Sequence, residues 1–117
     1  MSLRNGIFLW MVVVGLSATG GAVAAPVKMV GFDDMSCRAW VDSKGDVERR
    51  QTYLAWISGV LTGHNYVNQK QQVASVSSGT VENFVNRYCA ETPQGDFSDA
   101  AFRMSDVYSG RNAPITK

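Results

Sequence analysis

Two cysteines, Cys37 and Cys89, are all that the 117-residue chain contains, so only one disulfide can form. Whether it forms depends on the compartment in which the chain folds. Residues 1–24 answer that question. Arg4 supplies a positive start, Ile7 to Leu16 is an uninterrupted apolar stretch, and the small-residue run after it ends in Ala22-Val23-Ala24. This is the layout of a cleaved export signal, with the cut near Ala24/Ala25. Cutting after Ala25 would place Pro26 directly past the scissile bond, which suits a protease poorly. The competing reading is a retained membrane anchor, since Gly6 to Ala25 carries no charge over about twenty residues, close to a bilayer span. Its Gly, Ser, Thr and Ala content makes it too weakly apolar for that role.

Export to an oxidising periplasm then favours a structural Cys37–Cys89 bridge. A redox pair would sit in Cys-x-x-Cys spacing instead. Such a bridge closes a loop of about fifty residues, for which chain entropy gives on the order of 4 kcal/mol of stabilisation. That is a large share of the roughly 5–15 kcal/mol that keeps a small domain folded.

Residues 25–117 hold ten Lys/Arg and ten Asp/Glu. A neutral chain lacks the cation surplus that non-specific nucleic-acid binding requires. No later segment could span a membrane. The size fits one domain.

Apolar spacing along this domain is helical. Asp33 or Asp34 can cap a first helix through Met35, Cys37, Trp40 and Val41, ended by Ser43-Lys44-Gly45. Asp46 starts a second, with Glu48 in its first turn and Tyr53, Trp56, Ile57, Val60, Leu61 and His64 on one face, ending near Asn68. Gln69 to Gly79 reads as a polar loop. Thr80 caps a third helix carrying Val81, Phe84, Val85, Tyr88 and Cys89 on one stripe. After Pro93-Gln94-Gly95 a fourth helix, from around Asp96 to Asp99, turns Phe97, Ala100, Ala101, Met104 and Val107 inward and Arg103 and Asp106 outward. Residues 110–117 form a tail. The fold class is all-α: a small four-helix domain stapled by one disulfide.

Few residues in this pattern point to chemistry. Gly59 and Gly63 lie four apart on the long helix, where each costs roughly 1 kcal/mol relative to Ala. That cost implies close approach of another helix or a groove open to a partner. His64, the only histidine, has no nucleophile elbow or spare thiol to activate and no ligand cluster around it. A packed histidine or a pH sensor accounts for it better than a hydrolase base. Trp40, Tyr53, Trp56, Phe84 and Tyr88 fall on core faces, and Arg49-Arg50 reads as a solvated basic pair. The carboxylates Asp33, Asp34, Asp96 and Asp99 sit at helix starts, where capping explains them before catalysis does. The chain is therefore expected to be no enzyme, with no cofactor and no metal.

Three segments carry a resemblance: Ser36-Cys37-Arg38-Ala39-Trp40, the glycine-bearing helix Tyr53 to Asn65, and Asn86-Arg87-Tyr88-Cys89-Ala90-Glu91-Thr92-Pro93. Over residues 36–108 the chain resembles the HdeA/HdeB-type periplasmic acid-stress chaperones, and it is similar too to Rap/Tai-type immunity proteins that protect against secreted peptidoglycan amidases. Both resemblances imply a periplasmic protein whose partners are other proteins. The first implies opening below about pH 3, where protonated carboxylates leave the domain strongly cationic. The second implies a loop or groove that fits an enzyme, a place the Gln69 to Gly79 loop could take. A homodimer stays open under either.

Overall fold

The computed structural model describes residues 27–110; the expected export signal, residues 1–24, and tail residues 111–117 lie outside them. Four helices follow in order, α1 (Cys37–Asp42), α2 (Val47–Val67), α3 (Ser78–Glu91) and α4 (Phe97–Tyr108), with a 3₁₀ turn (Ser43–Gly45) between the first two. No strand occurs among the described residues, only an isolated antiparallel bridge between Ser36 and Asp96. The all-α, four-helix architecture and the Cys37–Cys89 disulfide are both present.

That bridge decides where α1 begins. Phe97 N–H donates to the Met35 carbonyl at 2.8 Å and Cys37 N–H to the Gly95 carbonyl at 2.9 Å. These bonds flank Ser36 and hold its backbone extended, so the helix starts two residues later than the apolar pattern predicts. Its cap is neither Asp33 nor Asp34. The Ser36 hydroxyl accepts from Ala39 N–H at 3.1 Å, while the Asp34 carboxylate accepts from Ser36 N–H at 3.0 Å. The same correction applies to α3. Ser77, rather than Thr80, accepts the first-turn N–H, which comes from Thr80 itself at 3.1 Å. The Thr80 hydroxyl lies 3.0 Å from that of Ser77, and with the cap moved to Ser77 the helix gains three residues. α2 starts on Asp46 and closes on Asn68, as its pattern predicts.

Phe97 is the centre of the core. It is fully buried and touches Tyr53 (centroids 4.7 Å apart), Trp40 (6.0 Å) and Trp56 (6.1 Å, edge-on), so α1, α2 and α4 meet on one ring. α3 adds Val81, Val85 and Cys89 to the same cluster. Along α4 the apolar stripe ends on Tyr108, four residues past Met104, and not on Val107, three past it. Val107 is 61% exposed and Asp106 is buried, the reverse of the expected pair.

The disulfide joins the first residue of α1 to the last turn of α3, with Cα atoms 5.2 Å apart and both cysteines buried. It encloses 52 residues of separation, including all of α2. Replacing both cysteines by alanine should lower the unfolding free energy by about 4 kcal/mol in urea denaturation.

Candidate functional site

The basic pair Arg49-Arg50 divides on folding. Arg49 stays exposed, its Nε donating to the Tyr53 hydroxyl at 2.9 Å. Arg50, expected in solvent, is 8% exposed. Its guanidinium lies 3.9 Å from the Trp40 ring centroid and donates to the Trp40 carbonyl (2.7 Å), the Ser43 hydroxyl (2.8 Å) and Glu82 Oε1 (3.3 Å). A buried guanidinium is tolerated when its donors are filled and its face lies on an aromatic ring. Both conditions are met. Trp40 in turn gives its indole N–H to Asn86 at 2.8 Å. These contacts join α1, α2 and α3 through one side chain.

The two glycines and His64 do not converge. Nothing lies within 4 Å of a Cβ built on Gly59 or Gly63, and both face solvent. No helix among the described residues approaches them, because the apolar face that draws neighbours to α2 lies on the other side, at Tyr53, Leu54, Ile57 and Leu61. His64 turns inward, 6% exposed. Its Nε2 lies 2.8 Å from the Gln71 carbonyl, which can only accept, so Nε2 carries the proton. No partner reaches Nδ1.

The residue that gives this histidine its role was not singled out from the sequence. Asn65 donates through Nδ2 to the Val73 carbonyl at 3.1 Å and accepts Val73 N–H through Oδ1 at 2.7 Å. One carboxamide thus satisfies both backbone groups of one loop residue, as a neighbouring strand would. Asn68 Nδ2 caps the His64 carbonyl at 3.1 Å. With Val73 buried beneath it, the loop from Gln69 to Ser77 is fixed at Gln71 and Val73. Lys70, Gln72, Ala74 and Ser75 stand exposed around those two points. The signal was a pair of hydrogen-bonding side chains, His64-Asn65, in the last turn of a helix whose C-terminal half carries no charge.

A second signal is charge. Between Arg50 and Glu82 the only Asp, Glu, Lys or Arg is Lys70. Tyr66 (81% exposed) and Val67 end the outer side of α2 near the exposed glycines. A solvent-facing helix face normally carries charge, and interface centres are depleted of it.

Elsewhere, a cleft of about 470 Å³ between α3 and α4 is walled by Phe84, Tyr88, Arg87, Arg103 and Val107. Arg103 lies over the Tyr88 ring at 5.6 Å. Trp40 and Tyr53 are buried, and Trp56, Phe84 and Tyr88 are half-buried against the core. Among the described residues no group of three or more His, Cys, Asp or Glu could hold a metal ion, and no helix is long and apolar enough to cross a membrane. Comparison with family models, with curated proteins and with solved structures finds no match to this chain.

Hydrogen bonds from Ser36, through its hydroxyl and its backbone N–H, hold the Asp34 carboxyl below its ordinary value of 3.8, helped by the charges of Arg49 and Arg38. A carboxyl lowered in the folded state contributes stability that is present above the unfolded value and is lost as pH falls through the folded one. Carboxyl NMR should give Asp34 a midpoint below 3.8, and Ser36→Ala should move it upward. The glycines give a second outcome. Because both lie on an open helix face, Gly59→Ala should stabilise the protein by roughly 1 kcal/mol in urea denaturation, where a packed helix contact would instead turn the change destabilising.

Proposed function

We propose that this is an exported, non-enzymatic protein-binding domain of the immunity-inhibitor type, which presents the α2–α3 loop and the outer face of the uncharged C-terminal half of α2 to a partner enzyme. The observation that carries the reading is the clamp made by His64 and Asn65. An inhibitor gains affinity when its contact loop is already ordered, because association then loses less conformational freedom. A carboxamide bonded to both backbone groups of Val73 supplies that order. The charge-poor surface beside the loop has the composition of an interface centre. A secreted cell-wall hydrolase is the partner class that the resemblance to immunity proteins brings.

The acid-chaperone reading has its own support in Glu82. This half-exposed carboxylate is the acidic partner of the buried Arg50 guanidinium. Without that charge the Arg50 cation would lie on Trp40 with less compensation.

The two readings separate in one comparison. Bait protein with and without Asn65→Ala is recovered from the periplasm, and the co-purifying enzyme is assayed. The inhibitor reading expects a hydrolase held at one-to-one stoichiometry and inhibited, with inhibition weakened about tenfold or more by Asn65→Ala while helix content persists. Protection of a denatured client at about pH 2–3, with no stoichiometric enzyme partner at neutral pH, would select the chaperone reading.

A further inference from the structure

Ahead of α1 the chain crosses α2 in a way that resembles a bound peptide. The Trp56 indole N–H donates to the Val30 carbonyl at 2.9 Å. The backbone of Gly31 lies flat against the same indole, where a Cβ would stand 2.7 Å from Nε1 and 3.2 Å from Cδ1. Phe32 then meets Tyr53 edge-on, with centroids 5.0 Å apart and planes at 76°. Asp33 and Asp34 follow at the Arg49 end of a shallow trough of about 330 Å³ that Thr52 and Tyr53 also line.

Four features of one short segment therefore match four features of α2: a carbonyl against an indole donor, a missing side chain against the indole face, an aromatic ring against Tyr53, and carboxylates near a cation. Yet the segment is loosely held. Val30 is 85% exposed and Val27, Lys28 and Met29 face solvent. Among the described residues the Trp56 contact is the only hydrogen bond from residues 27–33 to the rest of the fold.

We propose that residues 27–34 are a displaceable internal ligand, and that the N-terminal half of α2 is a peptide groove for an extended partner segment reading glycine, aromatic, acidic. A side chain at the glycine position is rejected by the indole. An aromatic ring occupies the place of Phe32, and the acidic residues after it face Arg49. While the arm is docked, the groove is closed to other segments. This surface is distinct from the clamped loop at the opposite end of α2, and the proposal stands whether or not that loop binds an enzyme.

The test uses the arm's own sequence and the full folded chain. Lys28 lies in the arm, and trypsin cuts after it only when the neighbouring residues leave α2. Gly31→Val should raise the cleavage rate after Lys28 about tenfold or more over the wild type with far-UV helix content unchanged. A fluorescent peptide of sequence Val-Lys-Met-Val-Gly-Phe-Asp-Asp should then bind the Gly31→Val protein about tenfold or more tighter than the wild type in anisotropy titrations. The same peptide with Ser in place of Phe should bind neither. Trp56→Phe, which keeps a ring but removes the donor, provides a second release variant if Gly31→Val loses helix. Equal cleavage of wild type and both variants overturns the proposal, because the arm is then undocked from the start. So does a released variant that fails to bind the peptide or binds the Phe-to-Ser peptide equally well.

Discussion

The guanidinium of Arg50 is the point on which the first half of the fold depends. It leaves α2, lies on the ring of Trp40 in α1, bonds the carbonyl that ends that helix and the hydroxyl of the 3₁₀ turn, and reaches Glu82 on α3. A six-residue helix such as α1 has almost no stability of its own, since nucleation alone outweighs so few hydrogen bonds. Here its far end is held by a cation and its near end by a disulfide. Trp40 can then offer one face to Arg50 and its other contacts to Phe97 and Tyr53. Removing the cation would take away a ring contact, two bonds to α1 and the turn, and the charge that Glu82 answers.

The second constraint is covalent, and it acts on a different scale. The Cys37–Cys89 bridge works chiefly by limiting the unfolded chain, whereas Arg50 works by filling donors in the folded one. Together they allow a small domain with a modest core to hold a long helix whose outer side carries no charge beyond its first turn. The Ser36–Asp96 bridge completes the arrangement, joining the entries of α1 and α4 so that Phe97 is delivered to the centre of the aromatic cluster.

Much of this was legible in the residues. Helix α2 could be bounded closely because Asp46 and Asn68 are local signals, each bonded to its own helix. The stripe of α3 and the inward set Phe97, Ala100, Ala101 and Met104 follow from spacing alone. What could not be read depends on residues far apart in the chain. Arg50 looks like a surface cation until Trp40 supplies a ring to lie on. The cap of α1 moves because Gly95 and Phe97 hold Ser36 extended. For Gly59 and Gly63 the sequence allows a neighbouring helix or a groove open to a partner; the structure brings no helix to them and turns them to solvent, because α2 packs through its other face. His64 and Asn65 were legible as types but not as a clamp, since the backbone they hold lies in a loop without regular structure.

The disulfide has one more consequence, for what happens when the chain is cut. Gln71 and Val73, the points that fix the exposed loop, both lie in the interval between Cys37 and Cys89. A protease acting in that loop would open the backbone without releasing a fragment, because α3 remains tied through sulfur to α1. Both halves would stay at high local concentration and keep their aromatic contacts. An exposed loop of the described chain is thus one that can be nicked without the molecule falling apart.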